Sequence, residues 1–341
     1  MPPRQKAKTI ELALQGGGAH GAFTWGVLDR LLEDARLDII GISGTSAGAM
    51  NAVVLADGLC RDGRSGAREA LQAFWRAVSR QAQFSPVGQS PLDILFGPWS
   101  QGANPAGLMV DWWSRMMSPY AMNPLNLNPL RDLLAAQIDF DRLRSSDLPK
   151  LFITATNVRT GKPKVFRRAD LSADAIMASA CLPLVFQAVE IDGEAYWDGG
   201  YMGNPSLFPL VDESDARDLV IVQIDPIHQQ AVPRTAREIL ERLNEITFNA
   251  SLISDVRAIT MLKKLIEAEG LDRKRYKDMR LHRIHAEQEI EPLGAASKLS
   301  AQWQFLKKLH DIGWQATDAW LETNFCHLGR RTTVDIAAVY L

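Results

Sequence analysis

The sequence predicts an α/β protein with a mainly parallel central sheet flanked by helices. Two short apolar runs each lead into a glycine-rich turn and then a helix-periodic segment, an order that only a parallel sheet accommodates. The chain of 341 residues, 46% hydrophobic and 23% charged, is long and apolar enough for one large core.

Thr9 to Leu14 reads as a buried strand, followed by the cluster Gly16-Gly17-Gly18-Ala19-His20-Gly21. Phe23, Val27, Leu28, Leu31 and Leu32 then recur at helical spacing, predicting a helix that ends near Ala35. Asp38 to Ile42 is a second strand, broken by Gly44-Thr45-Ser46-Ala47-Gly48, and Ala49 to Ala56 is helical again. Ala67 to Arg80 predicts a further helix. Leu151 to Val158 and Lys164 to Arg168 predict strands joined at Thr160-Gly161, and Ala173 to Ala180 a short helix stopped by Pro183. A hairpin at Asp192-Gly193 leads to Tyr196-Trp197-Asp198-Gly199-Gly200, and Leu219 to Asp225 is the last clear core strand. Beyond it the pattern turns helical over Thr235 to Glu269, with Ile239, Leu243, Ile246, Ala250, Ile253 and Val256 on one face. Met279 to Ile284 reads as an edge strand and Ser297 to Leu321 as a last helix. The expected organisation is a tail at 1–8, a main α/β domain at 9–225, and a mainly helical part at 226–341 packed on the same domain.

Charge excludes some classes of function. With 38 basic and 40 acidic residues the formal net charge is -2, which argues against a nucleic-acid binder. Cys60, Cys181 and Cys326 form neither a zinc pattern nor a disulfide framework. The basic start lacks a signal-peptide core, and no run of about 18 apolar residues is present. A cytoplasmic protein is expected, with peripheral contact at membranes left open and the oligomeric state unassigned.

The first glycine cluster fits G-x-G-x-x-G between a strand and a helix, and Asp38 lies at the interval of a ribose-binding acid. Asp38 opens its strand, however, whereas a ribose-binding acid belongs at the other end. The same row of N–H groups can instead hold the oxyanion of a tetrahedral intermediate. Gly44-Thr45-Ser46-Ala47-Gly48 fits the nucleophile elbow G-x-S-x-G, in which small neighbours let a sharp turn expose the serine hydroxyl. Both turns sit at the same end of adjacent strands. None of His20, His228, His282, His285, His310 and His327 occupies a recognisable setting for a general base. The alternative base is Asp198, at a loop tip before two glycines.

Taken in this order, the three motifs resemble those of the patatin-like phospholipases, which share a fold and chemistry with cytosolic phospholipases. Gly16 to Gly21 matches the family's glycine turn, Gly44 to Gly48 its elbow, and Asp198-Gly199-Gly200 its aspartate loop. Gly26-Val27-Leu28 and Ala178-Ser179-Ala180-Cys181-Leu182-Pro183 add to the likeness, which covers residues 9–225 and extends loosely beyond. It implies a three-layer sandwich and a Ser–Asp dyad without histidine. By carry-over, Ser46 is the nucleophile, Asp198 the general base, and Gly17 and Gly18 the oxyanion donors, with Gly16 a third candidate. Gly21, Gly44, Gly48, Gly199 and Gly200 complete the motifs. The sequence departs at His20, where the family often has Arg or Lys, so a titratable group replaces a permanent charge.

The expected reaction is hydrolysis of a lipid carboxylic ester, of phospholipase A or lysophospholipase type, through an acyl-enzyme, with neither metal nor cofactor. Residues 81–128 hold only three charges, Asp93, Asp111 and Arg115, among Trp99, Trp112, Trp113 and four methionines. They read either as a cap over a fatty-acyl substrate or as a helical insert completing the core. Three other functions remain open: an esterase for simple esters or a storage polyester, a non-catalytic lipid-binding protein, and a dinucleotide-dependent enzyme.

Overall fold

The structure is a computed structural model that describes residues 7–83, 118–147, 149–229, 231–272, 275–293, 297–298 and 300–341. Its centre is an eight-stranded sheet formed by β1 (Lys8–Leu14), β2 (Leu37–Gly44), β3 (Lys150–Asn157), β4 (Pro163–Arg167), β5 (Val189–Ile191), β6 (Glu194–Asp198), β7 (Asp218–Val222) and β8 (Arg280–Ile284). The order is β5-β6-β3-β2-β1-β7-β8, with β4 paired to β3. The run from β3 through β2, β1 and β7 to β8 is parallel, and the β4 and β6 pairings with β3 are antiparallel. β8 therefore extends the sheet from within the C-terminal part.

Alternation along each strand builds two cores. Ile10, Leu12 and Leu14 of β1 and Val220 and Val222 of β7 face one side. There they meet α1 (Gly21–Glu33), α2 (Ala47–Gln83), α3 (Pro129–Gln137), α4 (Ala173–Ser179) and α6 (Trp303–Asn324). Ala13, Leu219 and Ile221 face the other side, against Leu252, Val256 and Ile259 of α5 (Ala236–Glu269). With both faces covered, the central strands read as continuous apolar runs rather than alternating ones.

Helix bounds follow local chemistry. α4 begins where the Ser172 side chain accepts from the Ala175 N–H, and α5 where Thr235 and Glu238 form a capping box. α2 is broken at Asp62–Gly63, where Gly63 takes φ 56.

Three expectations need correction. α6 starts at Trp303, not Ser297, because Ser297 and Lys298 are drawn to other partners. The Ser297 hydroxyl lies 2.7 Å from His20 Nε2, and Lys298 Nζ lies 2.6 Å from Asp225 Oδ1. The anticipated face of α5 is also split. Ile239, Leu243 and Ile246 are 43%, 53% and 51% exposed, while Leu252 and Val256 are buried. The face that meets the protein runs instead through Phe248, Leu252, Val256 and Ile259. Finally, β2 continues two residues past Ile42, so the elbow starts directly from the strand. The apolar stretch 81–128 lies largely outside the described residues. Within its described end, Tyr120, Met122, Leu125 and Leu127 are all exposed.

Candidate active site

Parallel pairing of β1 with β2 aligns Leu14 with Gly44, so both glycine turns leave the sheet at the same end. Asp38 pairs with Thr9 at the opposite end. On β3, Ile153 pairs with Gly44, and two residues further Ala155 pairs with Asp198 of β6. The Asp198 loop thus arrives where β2 ends and the elbow begins.

At the elbow, Ser46 takes φ 54, a left-handed conformation costly for a residue with a Cβ. Close packing holds it there. A Cβ on Gly48 would lie 2.2 Å from the Leu14 carbonyl oxygen, so only glycine lets the start of α2 sit against β1. The Ser46 N–H donates to Ser179 Oγ at 3.0 Å, and the Thr45 hydroxyl to the Gly203 carbonyl at 2.6 Å. Gly44 adjoins the Gly48 backbone, and Gly21, the first residue of α1, packs against Ala47 and Trp75.

The Asp198 carboxylate accepts from the Gly200 N–H at 2.7 Å and faces the Ser46 hydroxyl. Its own backbone is pinned on both sides, the N–H to the Cys181 carbonyl at 2.7 Å and the carbonyl to the Thr156 hydroxyl at 2.8 Å. Gly199 meets the Thr154 carbonyl closely enough to exclude any side chain. Asp198 is 1% exposed. Burial raises its carboxyl to about 7, against the Gly200 hydrogen bond and the nearby Ser46 hydroxyl, which favour the ionised form.

The first glycine turn caps the other wall. Gly18 takes φ 59 and opens a turn of 3-10 helix that runs into α1. Among the described residues, no acceptor meets the N–H groups of Gly17 or Gly18. Gly16 differs: its N–H donates to Asn204 Oδ1 at 2.7 Å. Gln15 fastens the turn from behind. Its Oε1 accepts from the Ile224 and Asp225 N–H groups at 2.7 Å each, and its Nε2 donates to Asn249 Oδ1 at 2.9 Å.

Gly16, Gly17, Gly18, Ser46 and Asp198 together line a cavity of about 180 Å³, closed further by Leu182 to Val185, Tyr201, Asn204, Phe248 and Lys298. None of the six histidines lines it. His20 is buried nearby, and burial, helped by the Lys298 ammonium, lowers its imidazole to about 3, so the ring is neutral. Among the described residues, no group of histidines, cysteines or acids is arranged to hold a metal ion.

A family model for patatin-like phospholipases matches residues 12–211, more than half of the chain. The chain belongs to the patatin-like phospholipase family. The match spans both glycine turns and the Asp198 loop, and membership places the chain among lipid hydrolases. Among solved structures it is similar to VipD from Legionella pneumophila, at 16% identity and a TM-score of 0.45, over 94% of this chain and 67% of that one. It is also similar to the ExoU–SpcU complex from the type III secretion system of Pseudomonas aeruginosa. There the identity is 19% and the TM-score 0.33, over 98% of this chain and 75% of that one. No curated protein matches it. No described helix of this family member is long and apolar enough to cross a membrane.

Sequence reasoning missed the residues that hold the site together. Ser179 sat in a segment noted only as a short helix and for its family likeness. Asn204 follows the aspartate loop within Gly203-Asn204-Pro205, a composition that reads as an ordinary turn. Lys298 carries no local signal, because its neighbours in space are far from it in sequence.

Proposed function

We propose that this chain is a serine acyl hydrolase that cleaves lipid carboxylic esters through an acyl-enzyme on Ser46. The observation that carries the reading is the buried Asp198 carboxylate beside the Ser46 hydroxyl, both at the wall of a cavity lined by free glycine N–H groups. Asp198 takes the Ser46 proton as Oγ attacks the ester carbonyl, and the N–H groups of Gly17 and Gly18 stabilise the oxyanion. The leaving alcohol departs with that proton. Water, deprotonated by Asp198, then attacks the acyl-enzyme and releases the fatty acid. Gly16 is not needed as a donor in this scheme, since its N–H is committed to Asn204.

Leu182, Pro183, Leu184, Val185 and Phe248 give the cavity an apolar side suited to an acyl chain. In this reading residues 226–341 are part of the catalytic unit rather than an appendage, since Phe248 and Lys298 line the same cavity.

The test is labelling by a fluorophosphonate probe together with hydrolysis of p-nitrophenyl butyrate and phosphatidylcholine. Wild-type protein should label at Ser46 and cleave both esters, and Ser46→Ala should lose about 10³-fold or more on each. Equal rates for the two proteins would remove Ser46 from the chemistry. Cleavage of the butyrate alone would favour a simple esterase.

A further inference from the structure

Asn204 is 1% exposed and lines the cavity that holds Ser46 and Asp198. Its amide orientation is fixed by chemistry. The Gly16 N–H needs an acceptor, so the atom 2.7 Å from it is Oδ1, and Nδ2 points the other way. That nitrogen is buried without any hydrogen-bond partner. A buried amide donor left unpaired destabilises the folded protein. The rest of the residue is thoroughly tied down. Its N–H donates to Ser251 Oγ at 3.2 Å, and its carbonyl accepts from Gln15 Nε2 at 3.4 Å. Its immobilised side chain thus carries one orphaned donor at the edge of the cavity that holds Ser46.

Its neighbours locate the side chain. A Cβ placed on Gly16 would lie 2.8 Å from Ser46 Cβ and 3.2 Å from Asn204 Oδ1. The Oδ1 end of the Asn204 amide therefore lies beside Ser46 at the glycine turn. A ligand atom at Nδ2 must be an acceptor, since Nδ2 can only donate. Accepting from Gly16 also polarises the Asn204 amide and strengthens its donor end.

On the acyl-enzyme reading above, we infer that Asn204 Nδ2 is a third oxyanion donor, acting beside the N–H groups of Gly17 and Gly18. Gly16 then contributes indirectly, by orienting Asn204, rather than by donating to the oxyanion itself. Asn204 is accordingly a catalytic residue that touches the reacting oxygen only in the tetrahedral state.

The experiment separates donation from support of the turn. Asn204→Asp keeps an acceptor for the Gly16 N–H but removes the amide donor, and Asn204→Ala removes both. Each is assayed for kcat and KM on p-nitrophenyl butyrate, alongside its melting midpoint. A purely supporting role predicts that Asn204→Asp retains kcat. Catalytic donation predicts that its kcat falls about 100-fold or more with little change in KM, as for loss of one oxyanion donor elsewhere. Because a carboxylate also adds charge, and because either variant could fail to fold, a second measurement uses the wild-type protein. A trifluoromethyl ketone with an acyl tail forms a tetrahedral adduct on the nucleophilic serine, and a crystal structure of that adduct shows its oxyanion. Nδ2 within hydrogen-bond distance of the adduct oxygen supports the inference. An adduct on Ser46 whose oxygen is out of reach of Nδ2, or an Asn204→Asp enzyme within about fivefold of wild-type kcat, overturns it while leaving the acyl-enzyme reading intact. An adduct on any residue other than Ser46 overturns both.

Discussion

A serine cannot give up its proton to a weak base, and an aspartate at its ordinary pKa of about 3.9 is one. Burial changes that at Asp198, whose carboxyl rises to about 7 because ionisation in the dry site is unfavourable. On the proposed mechanism the group must be ionised to accept the Ser46 proton, so activity requires a pH above that value. With an uncharged ester, kcat/KM should climb about tenfold per pH unit below pH 7 and level off above it. A profile flat from pH 5 to 8 would contradict Asp198 as the base. His20 adds no inflection in that range, because its imidazole stays neutral down to about pH 3. Lys298 lines the same cavity as Asp198, its Nζ held 2.6 Å from Asp225 Oδ1.

At the scale of elements, α1 and α6 approach until their backbones touch. A Cβ on Gly26 would lie 1.9 Å from the His310 carbonyl oxygen, and one on Gly313 would lie 2.1 Å from that of Phe23. Alanine is the better helix former by up to about 1 kcal/mol, but no rotamer relieves a clash with backbone, and overpacking costs about 1–3 kcal/mol. The clash wins. Gly313→Ala should lower stability in denaturant titration, whereas Gln315→Ala, on the exposed side of α6, should not; a Gly313→Ala protein as stable as wild type would refute the close crossing. This scale also shows what the sequence could convey. The order strand, turn, helix, twice over, was legible because each glycine turn interrupts a clean change of hydrophobic period. The candidate pair was legible because Ser46 and Asp198 each stand in a short glycine-rich motif. The start of α6 was not, since Ser297 and Lys298 leave the helix for partners more than seventy residues away. Nor was the fate of Ile239, Leu243 and Ile246. Their spacing marks an apolar face, but only the sheet decides which face of α5 it covers.

For the molecule as a whole, buried acids set how stability responds to pH. Glu11 in β1 is fully buried, and burial raises its carboxyl to about 7 despite the Ser214 hydroxyl and the Lys277 ammonium nearby. Asp198 rises to about 7 and Asp255 to about 6, both chiefly through burial. All three hold protons in the folded state that the unfolded chain releases near its ordinary carboxylate pKa of about 4. Their contribution to stability is therefore complete below about pH 4 and is lost as pH rises to about 7. His20, His285 and His327, all lowered first by desolvation, act in the opposite sense, since protonation of the unfolded chain below about 6.5 favours unfolding. The three carboxyls outweigh these imidazoles, of which only His20 is buried, so the melting midpoint should fall between pH 5 and pH 8. Glu11→Gln isolates one of these groups away from the site. Its side chain keeps an acceptor for the Ala216 N–H, which Glu11 Oε1 binds at 3.1 Å, and can turn its amide donor to the Ser214 oxygen. The variant should be more stable than wild type at pH 8 by about 1–3 kcal/mol and nearly equal to it at pH 5. A difference of the same size at both pH values would mean that packing, not ionisation, governs residue 11. In that case the slope of stability with pH would have to come from Asp198 and Asp255 alone.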